Sequence, residues 1–215
     1  METQRLSPVV FCGENPHIVL YGAGSETISA AASYWTCTYS AYGVGHVLLL
    51  HLDAANAAAL NQPAQAIYSD NAPLAHTLTD SFNQHFDDWQ GFGFASTPIQ
   101  PAQFVKDSSG AGEAGVDPFY RVTCHSEAAQ IDLLWQEMRG FDFRTFADLQ
   151  GGGFGAAGDE HYHVANVIFL CGAGSIAVNG LPAAGEAQTR TLPNGRFSSS
   201  VFVALSETWI KIEPP

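Results

Sequence analysis

The chain has 215 residues, 46% of them hydrophobic and 12% aromatic, so it can bury a large core, and wholesale disorder is excluded. Eight Lys and Arg stand against 21 Asp and Glu, for a formal net charge of −13. So acidic a chain repels phosphate backbones and anionic lipid, and we expect neither nucleic acid nor a membrane as partner. A few basic residues can still line a site for a small anion.

The sequence carries no signal for export. The start, METQRLSPVVF, has no charged region followed by a long apolar core, which predicts a cytoplasmic protein. Cys12, Cys37, Cys124 and Cys171 form no Cys-x-x-Cys pair and are interpreted as buried thiols. We expect one domain over residues 1–215, and a homodimer is left open.

Extended segments dominate the pattern. Each is rich in β-branched or aromatic residues and bounded by Gly, Pro, Asn or Ser. The predicted strands are 17–22, 34–39, 44–52, 103–106, 119–125, 131–135, 164–171, 175–179 and 199–212. The connections SEAAQ at 126–130 and GAG at 172–174 predict two hairpins.

Three segments have helical spacing. The clearest, 73–89, repeats Leu and Phe every four residues, and Asn71 is placed to cap it. Shorter helices are predicted at 54–61 and 143–149. Asp53 is either the N-cap of the former or the partner of His51. Two Gly-rich loops, 107–115 and 151–158, are interpreted as exposed connections or as flaps beside a site.

These elements predict a mainly β (α+β) fold. We expect an antiparallel β-barrel or a strongly curved sheet, lipocalin-like in shape, with the amphipathic helix 73–89 covering it.

Glu207 is the first candidate for chemistry. In the final predicted strand, simple alternation puts it on one face with Val201, Val203, Leu205 and Trp209. Apolar surroundings raise the pKa of a carboxyl towards neutrality, which suits a general acid or base. The alternative is an ion pair or a hydrogen bond near the end of the strand.

Arg121 and His125 share one face of the predicted strand 119–125. Facing Glu207 inside a barrel, His125 would be its catalytic partner, and Arg121 would stabilise developing negative charge. In the alternative, Tyr120, Val122 and Cys124 form the core face, and both polar residues lie in water.

His161 and His163 form a His-x-His pair before an apolar strand, where alternate side chains can reach one metal ion. With the preceding Gly-rich loop, the pair resembles the first motif of the cupin family. That motif continues to a glutamate, but residues 165–168 here are Ala-Asn-Val-Ile. The resemblance implies a metal site, whereas the alternative is two histidines at a polar barrel mouth.

Aromatic residues on the predicted strands are candidates for a ligand pocket, namely Trp135, Trp209, Tyr34 and Phe119. A filled core would use the same side chains. The preferred function is a cofactor-independent enzyme, a lyase, isomerase or hydratase, that acts on a small apolar molecule in a barrel pocket with no cofactor. The alternatives are a non-catalytic binding protein for a small hydrophobic ligand and a metal-dependent cupin-like enzyme.

Overall fold

Strands make up most of the chain in the computed structural model, which describes residues 9–85, 92–109, 117–150 and 161–212. In chain order the strands are β1 (Val9–Glu14), β2 (His17–Tyr21), β3 (Ile28–Ser40), β4 (Gly45–Leu52), β5 (Gln65–Ser69), β6 (Ile99–Ser109), β7 (Phe119–Ser126), β8 (Gln130–Gln150), β9 (His161–Val178), β10 (Leu181–Pro182), β11 (Glu186–Ala187), β12 (Thr189–Thr191), β13 (Phe197–Ser199) and β14 (Val201–Ile212). The helices are α1 (Ala54–Leu60), α2 (Ala72–His85) and a short 3-10 helix, Phe94–Ser96. The expected mainly β fold is confirmed.

Twelve strands form one large curved sheet in the order β10-β9-β8-β7-β6-β5-β4-β3-β1-β14-β2-β11. β14 also pairs with β9, and β2 also pairs with β3. Only the β5–β6 pair is parallel among the described strands, and β12 and β13 form a separate hairpin. The C-terminal strand β14 is therefore bonded on one side to β1 and β2 and on the other to β9.

The two faces of the sheet carry two separate cores. The first core contains residues such as Tyr34, Leu48 and Trp135. The second core lies on the opposite face, where α2 buries Leu74 and Leu78 against strand residues. Alternation along the strands divides the apolar side chains between the two, so the central strands are apolar on both faces.

Both helices begin as their sequences predict. The Asp53 carboxylate accepts a hydrogen bond from the Asn56 backbone N–H and caps α1, so the N-cap alternative for Asp53 is confirmed. The Asn71 side chain accepts from the Leu74 N–H at 3.1 Å and starts α2. The predicted helix 73–89 is confirmed as far as His85, and its remainder lies outside the described residues. Neither helix is long and apolar enough to cross a membrane in the part of the chain described.

Two predictions of local structure are wrong. Residues 143–149 are not helical, because β8 continues through them as the partner of β9. The expected hairpin at 172–174 is absent, since β9 runs straight through that stretch. Gly172 and Gly174 allow a close approach there, because a Cβ at either position would collide with Glu137 or Val201. Of the two Gly-rich loops, 107–109 belongs to β6, and 110–115 and 151–158 lie outside the described ranges.

All four cysteines are free thiols, as expected for a chain without disulfides. Three of them, Cys37, Cys124 and Cys171, are buried, and Cys12 is half-buried. Burial raises the pKa of both Cys124 and Cys171 to about 12. These two thiols are therefore protonated at neutral pH.

A β-bulge in β14 reverses the faces of that strand. Ser206 and Glu207 stand opposite the single residue Asn166 of β9, and Ser206 has a φ of 53°. Before the bulge, Val203 points into the first core; beyond it, Trp209 points into the second. The single face predicted for β14 is therefore wrong, because the extra residue shifts the alternation by one.

The bulge predicts an unusual response to glycine. A left-handed backbone costs a non-glycine residue roughly 1–2 kcal/mol, and glycine avoids that cost. We expect Ser206→Gly to raise the free energy of unfolding by about 0.5–1 kcal/mol, measured by urea denaturation. The matched control is Ser108→Gly on β6, an exposed position with ordinary extended backbone. At Ser108 glycine should lower the free energy of unfolding. If Ser206→Gly lowers it as well, the left-handed backbone at Ser206 does not carry the expected cost.

Candidate functional site

A cavity of about 1080 Å³ lies on the second face of the sheet. Its floor is formed by β2, β9 and β14, with Val164, Asn166 and Phe202 among the residues that face it. One wall is the stretch 142–145 of β8, and another is the β12–β13 hairpin with the residues that follow it. The volume is close to the upper limit of small-molecule sites, about 1,000 Å³.

Glu207 lies at the floor of this cavity, on β14, and is only 4% exposed. The bulge points its carboxylate to the cavity side of β14. The Trp209 indole N–H donates to Oε1 at 2.7 Å, and the Asn166 amide donates to Oε2 at 3.4 Å. Both carboxylate oxygens are therefore held by neighbouring side chains.

Burial raises the pKa of Glu207 to about 7. Side-chain hydrogen bonds from Trp209, Asn166 and Asn15 act in the opposite direction, because each favours the ionised carboxylate. The desolvation expected from the sequence is thus present. At neutral pH the protonated and ionised forms of the carboxyl are both populated.

A line of buried polar groups continues from Glu207 through Asn15 and Ser33 to His17. The Ser33 hydroxyl donates to Asn15 Oδ1 at 3.2 Å and lies 3.5 Å from His17 Nε2. The His17 ring stacks on Phe202, with ring centroids 4.7 Å apart. Burial lowers the pKa of His17 to about 3, so its imidazole is neutral at physiological pH. A neutral ring beside the cavity donates from one nitrogen and accepts at the other.

The wall of the cavity also carries charge. Asp142 Oδ2 is the shared acceptor of Arg196 Nη2 at 2.5 Å and of Arg144 Nε at 3.4 Å. The Asp142 and Arg144 side chains are 39% exposed, and that of Arg196 is 61% exposed. Solvent screens both of these exposed ion pairs, so their contribution to the stability of the fold is small.

Arg121 and His125 do not join Glu207. Both are exposed on β7, whereas the intervening Tyr120, Val122 and Cys124 are buried in the first core. The Arg121 guanidinium lies 5.7 Å from the centre of the Phe119 ring. The alternative arrangement of β7 is therefore the one observed, and neither candidate partner lines the cavity.

The proposed ligand-binding aromatics are spread over different places. Trp209 lines the cavity, and Phe119 is half-buried on β7. Trp135 and Tyr34 are fully buried in the first core. The Trp135 indole N–H donates to the His17 backbone carbonyl at 2.8 Å, behind the floor of the cavity. Neither Trp135 nor Tyr34 is among the residues that line the cavity.

His161 and His163 open β9 and lie on one face of it, with Tyr162 buried between them on the other. His161 is half-buried and His163 is exposed. Within the described ranges, no group of three or more His, Cys, Asp or Glu side chains is placed to hold a metal ion. The metal site implied by the cupin resemblance stays a hypothesis on two ligands.

Several residues of the site are not among the candidates that the sequence predicts. A signal exists for Asn166, which interrupts an otherwise apolar strand and so calls for a polar partner. Asn15 and His17 flank Pro16 and give no such signal, since they are brought to Glu207 only by the pairing of β14 with β1 and β2. Arg144 lies in a segment that was predicted to be helical.

No family model, curated protein or solved structure matches this chain.

The raised pKa of Glu207 predicts a specific pH dependence of stability. The folded chain holds the Glu207 proton more tightly than the unfolded chain, so this stabilisation is complete below pH 4.5 and is lost as pH rises to about 7. Relative to Glu207→Gln, the wild type should lose on the order of 3 kcal/mol across that window in urea unfolding. The same change at exposed Glu127 is the control. A difference that stays constant with pH would contradict a buried, protonated carboxyl.

The indole N–H of Trp209 is expected to lower the pKa of Glu207. Trp209→Phe keeps an aromatic ring and removes the donor to Oε1, so the pKa of Glu207 should rise above about 7. Carbon-13 NMR of the glutamate carboxyls measures this directly. Trp135→Phe is the matched control, because its indole donates to the His17 carbonyl and not to Glu207. An unchanged pKa in Trp209→Phe would show that the hydrogen bond does not favour the carboxylate.

Proposed function

We propose that the chain is a cofactor-independent enzyme that uses Glu207 as a general acid and base on a small molecule bound in the cavity. One observation carries the proposal: a carboxyl that is 4% exposed and held at both oxygens lies at the floor of a cavity of about 1080 Å³. A carboxyl that titrates near neutrality both gives and takes protons at physiological pH.

The chemistry that fits is a net-neutral proton transfer, as in an isomerase, lyase or hydratase. In the ionised form, Glu207 takes a proton from a carbon of the substrate. It then returns that proton either to a second carbon, which gives an isomer, or to a departing hydroxide, which leaves as water. Each route restores the starting carboxylate, so no external oxidant or reductant is needed.

The Asn166 side chain can form a hydrogen bond with both the ionised and the protonated carboxyl of Glu207. Its amide N–H₂ donates to the carboxylate, while its Oδ1 is buried and has no hydrogen-bond partner among the described residues. A rotation of the amide would present Oδ1 to the protonated carboxyl as an acceptor. Asn166 is therefore a positioning residue, which keeps the Glu207 carboxyl oriented before and after proton transfer.

We also propose that the curved sheet is a closed barrel forming one domain. The hydrogen-bonded ladder that links β9 through β8, β7, β6, β5, β4, β3 and β1 to β14, and the further pairing of β14 with β9, support this. The first core would fill the interior of such a barrel. The proposed substrate site is then on the outer face and not in a barrel pocket. A lipocalin-like shape and a cytoplasmic location stay predictions.

Loss of the carboxyl should stop turnover and spare binding. Glu207→Gln keeps the shape and one acceptor, and we expect the rate to fall by about 10²–10⁴-fold, the usual contribution of a general acid or base. The measurement is deuterium uptake from D₂O, followed by proton NMR, on a panel of small ketones, hydroxy acids and unsaturated acids. Glu127→Gln, an exposed position on the β7–β8 turn, is the matched control.

The outcomes separate the two classes of function. Full activity in Glu207→Gln would refute the assignment of this residue. Ligands that bind to the wild type without any exchange or conversion would favour the non-catalytic binding protein, which needs the same cavity but no poised carboxyl.

A further inference from the structure

The scarce cations of this chain are unevenly placed. Only 8 of 215 residues are Lys or Arg, yet two of them, Arg144 and Arg196, line the cavity that contains Glu207. Among the other described cations, Lys106 is bound to Glu14 and Arg139 lies beside Glu137, and neither lines this cavity. In a chain with a net charge of −13 and so few cations, two arginines at one wall of the cavity are not expected from composition alone.

The two arginines are not neutralised by their shared carboxylate. Both guanidiniums contact the same oxygen of Asp142, so two positive charges face one negative charge. Each guanidinium has five N–H donors, and the contacts with Asp142 use one from each. Arg144, Arg196 and Asp142 together therefore keep a net charge of about +1. They also keep several donors for an acceptor that bears one negative charge.

The floor of the cavity is suited to the apolar part of a ligand. Ile168, Leu170 and Phe202 line the floor, and the carboxyl of Glu207 lies in the same cavity. A ligand with its anionic group at the arginines can therefore lay an apolar portion along the floor. That placement would bring a reacting carbon towards Glu207.

We propose that the cavity binds a small organic monocarboxylate, with its carboxylate held by Arg144 and Arg196 and its apolar body against the floor. This inference rests on the proposed function, since it names the substrate class of the same site. A carboxylate matches the single net positive charge of the wall, whereas a phosphate monoester brings close to two negative charges. Guanidinium groups also fit the planar carboxylate geometry.

Matched probes test the charge requirement. The probes are 3-phenylpropionate, its neutral amide and phenyl phosphate, titrated by saturation-transfer NMR at about 10 mM and about 150 mM salt. We expect the acid to bind about tenfold more tightly than the amide, as one charge-assisted contact would give. Higher salt should reduce this preference.

Substitutions test which residues cause the preference for the acid over the amide. In Arg144→Gln/Arg196→Gln the acid should bind no better than the amide. Arg190→Gln removes the same charge from exposed β12, outside the cavity lining, and should keep the preference. Asp142→Asn frees both guanidiniums and should tighten binding of the acid several-fold.

Several results would overturn the proposal. They are equal binding of acid and amide, no binding of any probe, tighter binding of phenyl phosphate, or equal losses in the Arg190 control and the double variant. Failure of the acid–base function gives a different result. In that case Glu207→Gln and the wild type would both bind the acid with the same preference, and neither would exchange protons.

Discussion

The extra residue in β14 is the constraint on which the site depends. Without it, strand alternation would put Glu207 on the side of Val203 and Leu205, which pack in or against the first core. With Ser206 and Glu207 opposite Asn166, the carboxyl emerges on the other face, beside Trp209. The left-handed backbone at Ser206 costs stability that the neighbouring ladders offset, because β14 is hydrogen-bonded on both sides. Local strain of this kind commonly accompanies a side chain that is aimed for function.

Burying a carboxyl and an imidazole in the lining of one cavity would be costly without partners. Here the partners are neutral. Trp209 and Asn166 donate to Glu207, Ser33 joins Asn15 to His17, and the Trp135 indole satisfies the His17 carbonyl from the other core. No full cation neutralises Glu207 in these contacts, so desolvation dominates and its pKa stays near 7. An arginine in the place of Asn166 would hold the carboxyl ionised and remove its capacity to carry protons.

How far the sequence predicts this protein depends on whether a feature is local. The mainly β class, both helix starts and the burial of Glu207 follow from patterns within a dozen residues. The line from Asn15 to Glu207 does not, because it joins residues nearly two hundred positions apart through strand pairing. The 143–149 segment shows the opposite error. Its spacing of Phe and Leu suits a helix, but the long partner strand β9 imposes an extended backbone. The position of Arg144 in the charged wall follows from the pairing of β8 with β9, so the local sequence does not predict it.

The pairing of β14 also sets an order of events during synthesis. β1 and β2 leave the ribosome about 190 residues before β14 is available, an interval of roughly 10–40 s at ordinary rates of translation. During that time β1 lacks its β14 neighbour, and the His17 imidazole lacks the Phe202 ring that later stacks on it. The nascent chain therefore carries an open strand edge, which invites pairing with another chain. Closure by β14 removes that edge and assembles the floor of the cavity in the same step.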